Sequence, residues 1–380
     1  MSQEMALAMA QDRTHSPLES EIRRRIKAAG QMPVRQFMML CLSHPDHGYY
    51  MTRDPLGRSG DFITAPEVSQ VFGELIGLWA ASTWYQMGQP ENVRLVELGP
   101  GRGTMMLDVL RATQVAPAFR AAIVVHLVEV SPVLRARQQQ MLGALDIPMM
   151  WHQSFDQVPD GPVIVVANEF IDALPVSQAI KQSDGWHERV VEIGGNDNLV
   201  FGISNEAIPL FDGLVPAKFR DAPLGAIYEW RADNLALAIG QRVVHQGGAA
   251  LVIDYGHVES AVGDTLQAVA GHAFVDPLIS PGESDLTAHV DFQAFALAAE
   301  SMGARVHGPI DQARLLRNLG IERRATTLKT HASPDKAAGI DAAVKRLVGD
   351  GRAEMGALFK AIAVANPGLR QMPGFEPHPK

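Results

Sequence analysis

The stretch V-R-L-V-E-L-G-P-G-R-G-T, Val93 to Thr104, decides how the chain is read. Val93, Leu95, Val96 and Leu98 form a short buried-strand pattern, three glycines follow at Gly99, Gly101 and Gly103, and M-M-L-D-V-L-R restarts as a helix. A strand running through tight glycines into a helix cradles a ligand in open α/β sheets. Glycine is required where the backbone turns sharply and must approach that ligand without a Cβ in the way. Counting narrows the choice. The dinucleotide fingerprint G-x-G-x-x-G asks for glycine or alanine where Thr104 stands, and no G-K-[ST] follows for a phosphate loop. What remains is E-x-G-x-G-x-G, opened by Glu97.

That pattern resembles motif I of the class I S-adenosylmethionine-dependent methyltransferases. In that family the glycine turn faces the methionine part of the cofactor, and an acidic residue closes the next strand. Here the next strand is I-V-V-H-L-V, 123–128, closed by Glu129. A carboxylate there can accept hydrogen bonds from both hydroxyls of a ribose.

Composition sets the outer limits. A chain of 380 residues, 47% hydrophobic and 20% charged, has the balance of a globular protein with a substantial core. A net charge of -9 argues against a general nucleic-acid binder, which needs a basic surface for phosphates. Cys41 is the one cysteine, so no intrachain disulfide or cysteine metal cluster can form. The apolar runs are far shorter than a membrane span, and the first residues, with Glu4 and Asp12, lack a signal-peptide pattern. A cytoplasmic location is the expectation. No H-E-x-x-H or paired His/Cys spacing occurs, so no metal site is expected, and without G-x-S-x-G a hydrolase reading has no support.

Along the chain, Ser16-Pro17 and Ser131-Pro132 read as helix starts, with serine as the N-cap and proline in the first turn. Residues 44–66 carry too many Gly, Pro and Asp for regular structure, and Pro66 opens a helix running to about Met87. Strands at 123–129, 149–152 and 162–167 alternate with helices, which predicts a parallel sheet. From Val176 the rhythm changes to strands joined by turns, and 176–226 reads as an antiparallel insertion. Helices are expected at about 231–245 and 291–302, with a strand at 250–253 between them. The expected domains are therefore an N-terminal helical cap with its loop at 1–90, a core at 91–175 and 227–330, the insertion at 176–226, and a helical tail at 331–380 with a disordered end.

Four stretches narrow the resemblance to one family. They are H-P-D-H-G-Y-Y with G-D-F-I-T-A-P-E-V-S-Q-V-F-G-E; V-E-L-G-P-G-R-G; A-N-E-F-I-D-A-L-P-V; and D-Y-G followed by D-L-T-A-H-V-D-F. Together they resemble the MidA family, bacterial and mitochondrial methyltransferases related to the complex I assembly arginine methyltransferase. The resemblance implies a class I α/β fold of Rossmann-like type with a mostly parallel seven-stranded sheet. It implies S-adenosyl-L-methionine as cofactor, bound by Gly99, Gly101 and Gly103, with Glu129 on the ribose. Ser154 and Phe155, after the third strand, sit where this superfamily often meets the adenine, although an N-cap serine beside a core phenylalanine explains them equally well. Asn168, and Asp61 with Phe62 from the 57–67 loop, are further candidates for cofactor contact.

The acceptor would lie at the carboxyl edge of the fourth strand, beside Glu169 and Asp172. An arginine acceptor is protonated in water, and carboxylates would orient its guanidinium. Glu169 is the first candidate for that clamp, with Asp172 and Glu67 as second members, although each of the last two also fits a helix start. His289 and Asp291 read more readily as a core histidine and an N-cap. The expected reaction is methyl transfer to a protein arginine, carried by a respiratory complex I subunit by resemblance, with the oligomeric state left open. A small-molecule methyltransferase, a non-catalytic cofactor-binding assembly factor and, against Thr104, a nicotinamide oxidoreductase are the alternatives.

Overall fold

A computed structural model of the chain describes residues 15–54, 63–330, 332–351 and 353–376. They divide into two compact units.

The larger unit comprises Arg53–Leu174, Trp230–Ala261 and Ala288–Lys380. Its sheet is built on β1 (Val93–Leu98), β2 (Ile123–Val128), β3 (Met149–His152), β4 (Val163–Asn168), β5 (Gly248–His257), β6 (Arg305–Asp311) and β7 (Phe359–Ala365). They follow one path in the order β6-β7-β5-β4-β1-β2-β3, and the short strand Val290–Asp291 pairs β5 as an eighth. The pairs β2–β3, β1–β2, β1–β4 and β4–β5 are parallel. β7 runs antiparallel between β5 and β6. The sheet is thus mixed, with eight strands where seven were expected.

Its central strands are apolar on both faces because helices cover both. Val93 and Leu95 of β1 join one core with Phe72, Leu75, Ile76 and Trp79 of the helix Gln70–Gln86. Val96 and Leu98 join the opposite core with Ile239 and Val243 of Asn234–Gln246 and with Phe295 and Ala299 of Phe292–Ser301. A strand covered on both sides loses the polar alternation of a half-exposed one, which explains I-V-V-H-L-V and V-I-V-V-A.

Two expectations need correction. The tail is not helical throughout: F-K-A-I-A-V-A forms β7, buried at Phe359 and at every residue from Ala361 to Ala365. This run of small and β-branched residues suits a strand between two neighbours better than a helix face. The end is also ordered further than expected, since Met372 is buried and Phe375 packs against the core. The helix expected from Pro66 is interrupted. Ala65–Val68 is one turn, Ser69 is extended, and its Oγ accepts the Val71 N–H as the N-cap of Gln70–Gln86.

The smaller unit comprises the chain up to Thr52, Pro175–Glu229 and Val262–Thr287. Residues up to Thr52 group with the antiparallel segment here, whereas a cap extending to residue 90 was expected. The reason is strand pairing: Met32–Pro33 adds antiparallel to Gly185–Ile193, which also pairs Ser177–Gln182 and Leu199–Ala207. Arg23 reinforces this, donating to the Asp197 carboxylate and carbonyl at 3.1 and 2.6 Å.

Candidate active site

The sheet order reverses direction between β1 and β4, and at such a switch point the carboxyl ends of strands leave a crevice. The glycine turn leaves β1 there. Gly99, Gly101 and Gly103 have φ of 63, 54 and 88°, the left-handed region that favours residues without a Cβ. Gly99 is constrained twice, since a Cβ on it would lie 2.5 Å from the Phe170 ring. Thr104, where the dinucleotide fingerprint wants glycine, opens the helix α1 (Thr104–Ala112) and donates its hydroxyl to Glu67 Oε1 at 2.7 Å. Beside it Arg102 donates through Nε to both carboxylate oxygens of Asp54, at 3.0 and 3.1 Å.

Two buried acids stand next to this turn. Glu97, at the end of β1, is 2% exposed, and its Oε2 has no hydrogen-bond partner among the described residues. Burial, together with the charge of Glu129, pushes its carboxyl up to about 8. Glu129 follows β2. Its Oε1 accepts the Ser131 N–H at 2.8 Å, and its Oε2 accepts from Gln138 Nε2 at 3.1 Å. Burial pushes Glu129 up to about 7, against those hydrogen bonds. Both oxygens keep acceptor capacity, since a carboxylate offers about four lone-pair sites.

Across the switch point, β4 ends in Asn168 and turns abruptly. Glu169 takes φ of 50°, an uncommon conformation for a residue with a side chain. Its Oε1 accepts the Ala65 N–H and the Asn168 amide, both at 3.1 Å, and desolvation pushes its carboxyl up to about 7. The turn is held from β5. Asp254, fully buried, accepts the N–H groups of Phe170, Ile171 and Asp172 on Oδ2 at 3.2, 2.8 and 3.2 Å. Arg231 braces its far side, donating to the carbonyls of Asp172, Leu174, Ala288 and His289.

Asp172 is 5% exposed and bonded by the Tyr255 hydroxyl, yet its Oδ1 has no partner among the described residues. The same holds for Asn168 Oδ1. Buried acceptors without donors are rare and cost about 1–3 kcal/mol each. Glycines without side chains on one wall and buried acceptors on the other fit a cofactor with a polar nucleoside and a cationic centre. The same acceptors fit a donor-rich acceptor group.

The other candidates fall as follows. Glu67 is partly buried, and one of its oxygens is engaged by Thr104. Ser154 makes no capping bond, while Phe155 is 7% exposed in the core with the Arg242 guanidinium 5.1 Å from its ring centroid. Asp61 and Phe62 lie outside the described residues. Asp291 Oδ1 accepts the Ala294 N–H as an N-cap, and His289 packs edge-on against Tyr255. Among the described residues no three His, Cys, Asp or Glu side chains gather as a metal site, and no helix is long and apolar enough to cross a membrane. Sequence reasoning passed over Asp254 and Gln138. The first stood in the quoted D-Y-G with nothing to mark its role, and the second lay inside a polar Q-Q-Q run resembling a solvated helix face.

Comparison with known proteins matches residues 75–310 to the family described as "Putative S-adenosyl-L-methionine-dependent methyltransferase". The protein arginine methyltransferase NDUFAF7 homolog, mitochondrial, of Drosophila melanogaster is 35% identical, covering 92% of this chain and 85% of its own. The human protein arginine methyltransferase NDUFAF7, mitochondrial, is 37% identical, covering 82% and 75%. A crystal structure from Burkholderia thailandensis, bound to S-adenosyl-homocysteine, superposes with a TM-score of 0.80 at 30% identity, covering 99% of this chain and 96% of that one. These names overturn the expectation of a cytoplasmic location, because the relatives are mitochondrial proteins. With more than half of its length matched by the family model and relatives at 35% identity or more along most of it, the chain belongs to this family of S-adenosyl-L-methionine-dependent methyltransferases.

Proposed function

We propose that this methyltransferase modifies a guanidinium nitrogen of a protein arginine, with Glu169 and Asp172 as the acceptor clamp. The observation that carries the reading is the turn after β4. It gathers Glu169, Asp172 and Asn168 at the switch point, with Asp172 Oδ1 and Asn168 Oδ1 buried and lacking donors among the described residues. A guanidinium presents five N–H donors and a positive charge, so it supplies what these acceptors lack. The names of the relatives point the same way.

In this reading Gly99, Gly101 and Gly103 admit the cofactor, Glu129 holds its ribose, and Asn168 faces its reactive end. When bound, S-adenosylmethionine supplies an electrophilic methyl group whose bond to sulfur breaks as the bond to nitrogen forms. Glu169 and Asp172 orient the guanidinium, raise electron density on the attacking nitrogen, and accept the proton that it releases. A carboxyl held near neutrality by burial is suited to receive that proton. Glu67 acts through Thr104 on the glycine turn, and Ser154 with Phe155 borders the adenine end. From the family resemblance we take a respiratory complex I subunit as the carrier of the arginine.

The test is incubation of the protein with labelled methyl donor and an extract of its own cells, followed by amino-acid analysis. Methylarginine in protein is the expected product. Label confined to small metabolites would transfer the reading to the small-molecule alternative. Binding of the donor with no label transferred to anything would favour an assembly factor.

A further inference from the structure

We propose that Gln138 is a positioning residue for the cofactor, fixing the glycine turn and the ribose acid in the one relative placement that a nucleoside fits. The proposal rests on the assignment of Gly101 and Glu129 to the cofactor made above.

Gln138 is fully buried on the helix α2 (Pro132–Leu142). Its Nε2 donates to the Gly101 carbonyl at 2.7 Å and to Glu129 Oε2 at 3.1 Å, while its Oε1 accepts the Trp151 indole N–H at 3.0 Å. The indole can only donate, and the Gly101 carbonyl and the ionised Glu129 can only accept, so the amide has one orientation in which all three bonds form. Trp151, on β3, therefore aims the two amide hydrogens. One of them braces a carbonyl whose direction is set by the left-handed Gly101. The other stabilises the ionised form of an acid that burial would otherwise neutralise.

Packing supports the same role. A Cβ on Gly103 would approach Leu142 Cδ1 at 3.3 Å and Gln138 Cγ at 3.5 Å. Helix α2 thus lies directly against the turn, and the third glycine of the motif makes room for the residue that braces the second. The charged groups facing Glu129 are Glu97 from β1 and Arg135 from α2. The variants below alter neither.

Gln138→Met keeps length and apolar packing but removes both donors. The measurement is calorimetric binding of S-adenosyl-homocysteine between pH 6 and 8.5. Gln138→Met is expected to weaken binding about tenfold and to move the pH midpoint of binding upward, because Glu129 loses a bond that favours its charge. Trp151→Phe, which releases the amide without touching the turn, is expected to move the midpoint in the same direction by less. Wild-type affinity and an unchanged midpoint in a folded Gln138→Met protein would overturn the proposal. If that variant does not fold, an unchanged midpoint in Trp151→Phe overturns it, and an upward shift sustains it. Failure of the wild type to bind S-adenosyl-homocysteine would instead sink the cofactor assignment itself.

Discussion

Glu67 Oε1 accepts the hydroxyl hydrogen of Thr104 at 2.7 Å, joining the turn Ala65–Val68 to the first residue after the glycines. The Ala65 N–H meanwhile donates to Glu169. One short helical turn therefore touches both walls of the switch point, the glycine turn through Glu67 and Glu169 through Ala65.

The Glu67–Thr104 bond makes the two side chains energetically dependent. Glu67→Leu and Thr104→Val should each weaken S-adenosyl-homocysteine binding, and the double variant should be little worse than either single one. The expected coupling is about 1 kcal/mol. Additive effects in that cycle would deny the bond a role in the cradle.

Glu169→Gln preserves shape and an acceptor for the Ala65 N–H but removes the charge. We expect turnover to fall by about 10²–10³ with cofactor affinity unchanged. Single-turnover methylation measured beside calorimetric binding separates the two quantities. Equal losses in both would make Glu169 part of the cofactor site.

Gly99→Ala combines a left-handed φ with a Cβ 2.5 Å from Phe170. Left-handed backbone alone costs about 1–2 kcal/mol for a residue with a side chain. Cofactor binding should be lost, and Phe170→Leu in the same chain should restore part of it by removing the ring. No recovery would place the damage in backbone strain alone.

Stability should depend on pH through buried groups of opposed sign whose windows overlap. Glu97 is raised from 4.5 to about 8, and Glu129 and Glu169 each from 4.5 to about 7. In that range the folded state binds more protons than the unfolded one, so the unliganded protein should gain stability as pH falls from 8.5 towards 7. His126 has the opposite sign, lowered from 6.5 to about 4 by burial and by the neighbouring His152, with ring nitrogens 2.9 Å apart. Below about 6.5 the unfolded state takes up that proton first, which offsets part of the gain from the three acids without reversing it. The three acids outweigh the imidazole, so thermal melting should keep rising as pH falls from 8.5 towards 5. A cofactor held through ionised Glu129, as proposed, should flatten the alkaline side. A melting temperature rising steadily to pH 8.5 would contradict the burial of these acids.

Much of the core was legible because its signals are local. Gly99, Gly101 and Gly103 announce left-handed turns, Ser131-Pro132 announces a capped helix, and runs such as V-I-V-V-A announce strands covered on both sides. β7 was missed because its place is decided by β5 and β6 on either side, and isolated F-K-A-I-A-V-A carries no mark of those neighbours.

The amino-acid order by itself determined the strand, the glycine turn and the acids that follow Leu98, Val128 and Asn168. Each of these depends on backbone freedom or on residues a few positions apart. Tertiary structure decided what the acids do there. It aims Gln138 at Glu129, stacks three N–H groups on Asp254, engages Glu67 with Thr104, and leaves Asp172 Oδ1 without a donor among the described residues. A hydrogen bond between groups far apart in the chain exists only once packing has excluded water and fixed both partners. Nothing in the spacing of residues can announce it.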